Sequence, residues 1–279
     1  MFRIVNKKQI NEKTTLIDVE APLIAKKALP GQFIIFRIDE LGERVPLTIA
    51  DTDAEKGTVT IVFESVGTST TLLASLNVND KIQDFVGPLG IPTHIDESVK
   101  KVCVIGGGTA CAIAYPQAKY LFNLGAQVDI IAGFRNKDFV ILEEEMKACS
   151  TNYYPMTNDG SYGEEGLVTE KFKSLVNSGN NYDLVICIGP VVMMKFVSQL
   201  TKEYNVKTIV SLNPIMIDGT GMCGGCRVTV GGKAKFACVD GPDFDGHEVN
   251  FDELILRNTF YKEAETHSRE NCRLIRRDS

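Results

Sequence analysis

The chain has 279 residues, of which 44% are hydrophobic and 24% are charged, and its formal net charge is −6. A negatively charged protein is repelled by the phosphates of nucleic acid, so nucleic-acid binding is not expected. No apolar run approaches the roughly 20 residues that cross a membrane, and the first residues lack the apolar core of a signal peptide. These features predict a cytoplasmic protein of about two domains that binds no membrane.

The first part of the chain, residues 1–98, predicts a small antiparallel β-barrel domain. Its apolar or alternating segments are short and are separated by Gly and Pro, which is typical of strands joined by turns. They read TTLIDVEAP, GQFIIFRID, PLTIAD and GTVTIVFESV. A helical segment, STTLLASLNVND, interrupts them.

The pattern changes at about residue 99, and residues 99–212 predict an α/β domain. A buried-strand pattern, KVCVIGGG, is followed by a helix pattern, TACAIAYPQAKYLFNLG, and the alternation continues through AQVDIIAGF, DFVILEEEMKAC, YDLVICIGP, VVMMKFVSQLTKEY and VKTIVSLN. Strands that alternate with helices indicate parallel βαβ units and a doubly wound sheet.

Two C-terminal segments differ from both domains. Residues 213–248 are rich in Gly and Cys and leave little room for a hydrophobic core, so we expect a metal or cluster to hold them together. Residues 249–279 begin with a short helix candidate and end in a charged tail. On that helix Phe251, Leu254 and Ile255 share one face, which either packs on the chain's own domains or docks a partner.

Two motifs in the barrel segment are suited to a flavin dinucleotide. In GERVPLTIAD, Arg44 offers a cation for a pyrophosphate and Thr48 a hydroxyl, although the same pattern also occurs in ordinary turns. In ESVGTSTTLLASL, small residues begin a helix whose amides could face phosphate, whereas Ser69 or Thr70 could equally be a plain N-cap. The candidate flavin contacts are Arg44, Val45, Pro46, Leu47, Thr48, Val62, Phe63, Glu64, Gly67, Thr68, Ser69 and Thr70.

The glycines of VIGGGTACA predict a nucleotide-binding turn between a strand and a helix, with a simple tight turn as the alternative because the glycines are contiguous. CIGPVVMM adds a second turn at the carboxyl edge of the sheet, where α/β folds bind ligands. The acidic stretch NDGSYGEEG would repel a 2′-phosphate, which favours NAD(H) over NADP(H). The candidate contacts are Gly106, Gly107, Gly108, Thr109, Ala110, Arg135, Asp159, Gly160, Cys187, Gly189, Pro190 and Met193.

The strongest local signal is a loop that contains Cys223, Cys226 and Cys238. Plant-type two-iron clusters use C-x4-C-x2-C and a distant fourth cysteine. Asp218 stands where the first cysteine of that pattern would be, and a carboxylate is a harder ligand than a thiolate. Zinc on the same residues remains an alternative, as does Asp218 as a turn residue with another fourth ligand, for which His247 is the best candidate.

The order of these motifs resembles the ferredoxin–NADP reductase superfamily. The resemblance rests on residues 44–48, 67–70, 106–109, 187–190 and the cysteine loop, and it covers essentially the full chain. Within the superfamily, the chain is similar to electron-transfer subunits of type B dihydroorotate dehydrogenase and of electron-bifurcating NADH-dependent ferredoxin:NADP⁺ oxidoreductases. The dihydroorotate type usually has adjacent Arg and Pro in the flavin motif, whereas here Val45 separates them.

The resemblance implies three cofactors, FAD, NAD(H) and a [2Fe–2S] cluster, and it implies Asp218, Cys223, Cys226 and Cys238 as the cluster ligands. It also implies an obligate partner, a large subunit that carries a second FAD and [4Fe–4S] clusters. The alternatives within enzymes are the corresponding subunits of type B dihydroorotate dehydrogenase and of sulfide dehydrogenase. The alternative outside enzymes is a nucleotide-binding module that zinc stabilises.

Overall fold

A computed structural model describes residues 1–96, 98–260 and 266 of the chain. The strands are β1 (Phe2–Gln9), β2 (Thr14–Glu20), β3 (Phe33–Arg37), β4 (Val45–Asp53), β5 (Thr58–Glu64), β6 (Lys81–Ile82), β7 (Asp84–Leu89), β8 (Lys101–Gly107), β9 (Gln127–Phe134), β10 (Asn152–Thr157), β11 (Glu164–Glu165), β12 (Leu184–Ile188), β13 (Lys207–Ser211), β14 (Arg227–Val230), β15 (Lys233–Phe236) and β16 (Asp243–Asp245). The helices are α1 (Pro22–Ala25), α2 (Thr68–Ser75), α3 (Cys111–Asn123), α4 (Glu143–Ala148), α5 (Val168–Asn177), α6 (Val191–Glu203), α7 (Ala237–Asp240) and α8 (Phe251–Arg257).

The first seven strands form one antiparallel sheet in the order β6-β1-β2-β5-β4-β3-β7. The two end strands, β6 and β7, follow each other directly in the chain, so the sheet is nearly closed. Apolar side chains from alternating positions fill its interior, among them Ile17, Ile34, Phe36 and Ile61. This confirms the predicted antiparallel barrel.

The second sheet has the order β11-β10-β9-β8-β12-β13-β16. All its strand pairs are parallel except β13 with β16. One face carries α3 and α4 through side chains such as Leu121 and Met146, and the other carries α5 and α6 through Phe172 and Val197. Helices on both faces of a mainly parallel sheet confirm the doubly wound α/β fold.

Two details of this domain differ from the sequence prediction. β10 and α5 were not predicted, because Pro155 weakens the strand pattern of NYYPMT and a loop separates the two elements. The predicted helix over DFVILEEEMKAC is shorter, since α4 starts only at Glu143. The preceding residue, Leu142, has a left-handed backbone with φ of 51°, which stops the helix from extending toward the N-terminus.

The cysteine-rich segment has more structure than its composition predicts. β14 and β15 form a two-stranded hairpin and β16 joins the edge of the second sheet. Met216, Cys226 and Cys238 are buried together with Phe33 and Ile35 of the barrel. The expectation of little hydrophobic packing was therefore wrong, because the segment shares apolar surface that the barrel supplies.

The helix candidate at the C-terminal end is confirmed as α8. Phe251 and Leu254 are buried in the same core as α6, so this face of the helix packs on the chain itself. Leu256 and Phe260 are each 62% exposed. The helix is shorter than predicted, because residues 258–260 form a turn. Residues 261–265 and 267–279, which include the charged tail, lie outside the described residues. In the part of the chain that is described, no helix is long and apolar enough to cross a membrane.

Candidate cofactor sites

A cleft of about 1050 Å³ opens at the carboxyl edge of the parallel sheet. Its floor is formed where β8 ends in Gly107, β9 ends in Phe134 and the turn after β12 begins with Gly189. Ligands of α/β sheets bind at this edge, and the volume suits a dinucleotide-sized molecule. The cleft is therefore the candidate nucleotide site.

The contiguous glycines at the cleft have separate structural reasons. A Cβ on Gly106 would approach the Cys111 Sγ to 2.7 Å, and one on Gly107 would approach the Met193 Sδ to the same distance. Gly108 has φ of +59° and faces open space, so its backbone is accessible to a ligand. The chain then enters the 13-residue α3 through a short 3-10 turn. The amides at this helix start are suited to a phosphate.

The cleft brings together eight of the twelve predicted nucleotide contacts, namely Gly107, Gly108, Thr109, Ala110, Arg135, Gly189, Pro190 and Met193. Gly106 is packed beneath α3, and Cys187 is fully buried in β12, where desolvation raises the pKa of its thiol far above the usual value. Asp159 and Gly160 lie on an exposed loop. Ser161 donates a hydrogen bond to the Asp159 carboxylate, and this bond is the main cause of its lowered pKa.

Sequence reasoning missed a further group of cleft residues, which come from the barrel, from the ends of β9 and β10, and from α5 and α6. They include Lys13, Gly133, Asn158, Lys173, Phe196 and Glu203. The carboxyl ends of neighbouring parallel strands meet at one edge, so Gly133 and Asn158 could have been found from the strand pattern. Lys13 could not, because its place depends on how the barrel docks on the sheet.

The barrel meets the nucleotide turn through side chains. Thr109 donates a hydrogen bond of 3.1 Å to Glu64 at the end of β5. Farther along the chain, the ammonium of Lys119 in α3 lies 2.7 Å from the Asp51 carboxylate of β4. These contacts fix the candidate nucleotide site against the barrel.

The predicted flavin residues lie on β4, on β5 and at the start of α2. Gly67 is the N-cap of α2, so neither Ser69 nor Thr70 has that position. Thr70, the third helical residue, accepts hydrogen bonds from the amides of Val66 and Gly67, both at 3.1 Å. Ser69 donates to Glu43 at 2.8 Å, which brings the start of α2 beside the start of β4. Gly67 has open space where a Cβ would stand. Val62 and Phe63 are buried, whereas residues 44–48 are half-buried.

Arg44, the predicted cation for a pyrophosphate, contacts the cysteine-rich segment. Its Nε donates to the Ile217 carbonyl oxygen at 2.7 Å, and its Nη2 donates to the Asp218 carbonyl oxygen at 3.3 Å. The start of β4 is thus bonded to the loop that precedes the first cysteine.

The four predicted cluster ligands are arranged in two pairs. The Cys238 amide donates to the Cys226 Sγ at 3.4 Å, and both residues are buried. The Cys223 amide donates to an Asp218 carboxylate oxygen at 2.9 Å, and Cys223 is exposed. Burial and the neighbouring Cys226 raise the pKa of Cys238 to about 12. Hydrogen bonds from Thr220 and Cys223 lower the pKa of Asp218 to about 2.

Asp218 and the three cysteines are not gathered around a single point in this structure. Within the described ranges, no three His, Cys, Asp or Glu side chains come together as ligands of a single ion. A zinc site needs four ligands around one ion, whereas a two-iron cluster takes two protein ligands on each iron. Cys226 and Cys238 are linked through the Cys226 sulfur, whereas Asp218 and Cys223 are linked through the Cys223 backbone amide. The ring atom Nε2 of His247, the alternative fourth ligand, lies 3.0 Å from the Thr201 hydroxyl oxygen, so this side chain has a hydrogen-bond partner in α6.

The antiparallel barrel, the α/β sheet with its cleft and the cysteine-rich segment define an oxidoreductase of the ferredoxin–NADP reductase type. Residues 213–250 match the family described as the iron-sulfur cluster binding domain of dihydroorotate dehydrogenase B. A protein of Thermotoga maritima named dihydroorotate dehydrogenase B (NAD(+)), electron transfer subunit homolog, is 45% identical over 94% of this chain and 92% of its own length.

A second relative, the dihydroorotate dehydrogenase B electron transfer subunit of Geobacillus thermodenitrificans, is 31% identical over 88% of this chain and 96% of its own. A solved structure of NADH-dependent reduced ferredoxin-NADP oxidoreductase, described for flavin-based electron bifurcation, superposes with a TM-score of 0.92 at 42% identity and covers 97% of both chains. The chain therefore belongs to the family of dihydroorotate dehydrogenase B electron transfer subunits and their homologues. The flavin reductase fold and the iron–sulfur binding domain support FAD and an iron–sulfur cluster as its cofactors.

Proposed function

We propose that this chain passes electrons between NAD(H), FAD and a [2Fe–2S] cluster as a subunit of an electron-bifurcating NADH-dependent ferredoxin:NADP⁺ oxidoreductase. The resemblance to the bifurcating enzyme over 97% of both chains supports this choice. When bound, these groups supply two-electron exchange at the nicotinamide and one-electron exchange at the iron, with the flavin able to do both.

One observation carries the proposal: the barrel contacts both neighbouring sites through its own side chains. Glu64 at the end of β5 is bonded to Thr109 of the nucleotide turn, and Arg44 at the start of β4 is bonded to the cysteine-rich loop. A flavin held by the barrel would therefore lie between a nucleotide in the cleft and a cluster in the loop. That order suits electron transfer in either direction.

For the nucleotide, we propose that the α3 start and Gly108 hold the pyrophosphate and that the substrate is NAD(H). The Asp159 carboxylate is bonded to Ser161, whose hydroxyl in turn accepts the Lys137 amide two residues after Arg135. These two bonds tie the Asp159 loop to the segment that follows Arg135, the cation that was predicted for a 2′-phosphate. Lys13 and Lys173 also line the cleft and could attract a phosphate. The preference for NADH over NADPH is therefore measured as a ratio of kcat/KM values.

For the cluster, we propose Asp218, Cys223, Cys226 and Cys238 as ligands of a [2Fe–2S] centre. The amide of Gly225 also donates to the Cys223 Sγ at 3.5 Å. Hydrogen bonds to sulfur stabilise thiolate ligands and tune the potential of such centres. The match of residues 213–250 to an iron–sulfur cluster binding domain supports iron over a single zinc ion.

The proposed partner is a large subunit with a second FAD and [4Fe–4S] clusters, in the cytoplasm. Family membership implies a partner subunit, and the names of the relatives keep the dihydroorotate-linked complex as a second candidate. The proposed domain limits are 1–98 for FAD, 99–212 for NAD(H), 213–248 for the cluster and 249–279 for a C-terminal helix and tail.

The test is anaerobic purification of the native complex with a tag on this chain. Flavin, iron, acid-labile sulfide and zinc are measured per chain, and the complex is assayed with NADPH, NAD⁺ and ferredoxin and, separately, with dihydroorotate and NAD⁺. We expect flavin, iron and sulfide, and NADPH-dependent reduction of ferredoxin that requires NAD⁺. Activity with dihydroorotate alone would identify the second candidate, and a colourless zinc protein would refute both.

A further inference from the structure

The contact between Arg44 and the cysteine-rich loop joins two segments that are far apart in sequence. The guanidinium donates from two different nitrogens to two successive carbonyl oxygens, those of Ile217 and Asp218. A planar guanidinium can make such a forked contact, whereas an ammonium is a single point charge. Hydrogen bonds from charged donors also contribute more than neutral ones.

The next residue of the loop lies directly on the barrel. Gly219 has φ of +77°, and a Cβ there would approach the Ile35 and Leu89 side chains to 2.8 Å and 2.9 Å. The close approach and the left-handed backbone both require glycine at this point. Ile35 belongs to the buried cluster that also contains Cys226 and Cys238.

Arg44 and Gly219 thus form a seat, by which we mean the contact surface between residues 217–219 and strands β3, β4 and β7 of the barrel. Among the described hydrogen bonds, those of Arg44 join residues 217 and 218 to the barrel, whereas the carboxylate of Asp218 bonds only within its own turn. Farther along the loop, Arg257 of α8 donates to the Gly225 carbonyl oxygen at 3.3 Å. The position of the first ligand pair relative to the barrel therefore depends on this seat.

We propose that Arg44 is a positioning residue for the cluster, which holds the Asp218–Cys223 pair at the flavin end of the barrel. This inference rests on the proposed function, because it takes the loop to be the cluster site. It assigns to Arg44 a task other than the flavin pyrophosphate contact that the sequence motif predicts. Because three guanidinium N–H groups remain outside these two bonds, a flavin contact could coexist with this task.

The variant Arg44→Lys distinguishes positioning of the cluster loop from contact with the flavin pyrophosphate. A lysine keeps the positive charge that a pyrophosphate needs but cannot make the forked contact to two carbonyl oxygens. We expect the variant to keep wild-type FAD content, to release iron to a chelator about tenfold faster, as loss of a charged hydrogen bond implies, and to change the visible circular dichroism of the cluster. Arg37→Lys is the matched control, because Arg37 bonds Asp84 on the same barrel.

A second variant tests the seat independently of charge. Gly219→Ala would collide with Ile35 and Leu89, and we expect faster iron release with unchanged FAD content. The proposal is overturned if Arg44→Lys loses FAD while iron release stays at the wild-type rate. It is also overturned if Arg44→Lys loses both cofactors while Gly219→Ala is unaffected, or if neither variant differs from wild type.

Failure of the proposed function has a different signature, namely a wild-type protein that contains no iron. The seat is then tested by limited proteolysis within residues 213–226. Faster cleavage in Arg44→Lys than in wild type and Arg37→Lys would support a seat for the loop without a cluster. Equal cleavage in all three would overturn it.

Discussion

Thr109 donates a hydrogen bond of 3.1 Å to Glu64, and this bond joins the first turn of the nucleotide site to the last residue of barrel strand β5. The two residues are predicted to contact different cofactors. Their direct contact, together with the Lys119–Asp51 ion pair, joins the nucleotide turn and α3 to the barrel.

We expect Thr109→Val, which keeps the shape but removes the hydroxyl, to lower kcat/KM for NADH-dependent dye reduction. Loss of one hydrogen bond to a charged group corresponds to a decrease in kcat/KM of about tenfold. FAD content should not change, since Thr109 lies on the sheet side. Thr109→Ser, which keeps the hydroxyl, is the control. Equal activity in both variants and wild type would show that the bond does not position the turn.

Gly108→Ala is expected to raise the KM for NADH. The new methyl group would enter the open space at the cleft, and an alanine at φ of +59° adds strain of roughly 1 kcal/mol. Gly179→Ala is the matched control. Gly179 also has a positive φ, +92°, and open space where a Cβ would stand, but it lies outside the cleft lining. We expect at least a tenfold rise in KM for Gly108→Ala and none for Gly179→Ala. Similar KM values would remove Gly108 from the nucleotide site.

The preference between nucleotides is tested by steady-state dye reduction with NADH and NADPH. We expect at least a tenfold better kcat/KM for NADH, because the Asp159 carboxylate follows Asn158 of the cleft lining and would repel a 2′-phosphate bound there. Asp159→Asn should narrow this gap by improving NADPH, and Arg135→Ala should leave NADH nearly unaffected. Equal or reversed preference in the wild type would instead indicate that Arg135 pairs with a 2′-phosphate.

The fourth cluster ligand is tested by two substitutions at Asp218. Asp218→Cys should keep a two-iron cluster with a shifted reduction potential and EPR signal, because a thiolate is a softer ligand than a carboxylate. Asp218→Ala should weaken iron retention. His247→Ala is the comparison. If Asp218→Ala leaves the spectrum unchanged and His247→Ala loses iron, then His247 and not Asp218 is the fourth ligand.

A pH effect is expected from Asp243, whose Oδ1 is buried and has no hydrogen-bond partner among the described residues. Thr93 and Gln117 donate to the other oxygen, and burial raises the pKa of Asp243 from 3.8 to about 6 despite these bonds. The folded state therefore holds the proton more tightly than the unfolded state, so this group lowers stability as pH rises from about 4 to about 6.

The full shift corresponds to about 3 kcal/mol above pH 6. Asp243→Asn should remove this dependence, so the difference in unfolding free energy between variant and wild type should grow in the variant's favour as pH rises through that window. Chemical denaturation at several pH values measures it. A constant difference between pH 4 and 7 would mean that Asp243 does not titrate there.

The alternation of apolar strands and helices predicted the doubly wound sheet, and short apolar segments predicted the barrel, because both signals are local in sequence. The antiparallel strand β16 was not predicted. Its three residues, Asp243–Asp245, have no strand pattern of their own and pair only because the edge of β13 is available to them.

Residues of the cleft and of the cysteine loop were likewise predicted where a local sequence motif marks them. The glycine turns and the cysteine spacing identified residues that line the cleft or pair in the loop, since those motifs need particular backbone conformations or ligand types. The hydrogen bonds of Arg44 to Ile217 and Asp218 join positions separated by more than 170 residues. No local pattern encodes a contact of this kind, which depends on how the cysteine-rich segment folds back over the barrel.

The pairing of β13 with β16 also has a consequence for how the cluster region assembles. Ser211 and Asp243 are register partners, so the segment 212–242 leaves and re-enters the sheet at points about 5 Å apart. The hairpin of β14 and β15 closes a smaller loop inside it and pairs Arg227, which follows Cys226, with Phe236, which is two residues before Cys238. Loop-closure entropy is thus overcome in two nested steps by backbone hydrogen bonds. Iron would then meet Cys226 and Cys238 already adjacent, and only the exposed Cys223 side of the loop would still have to close around it.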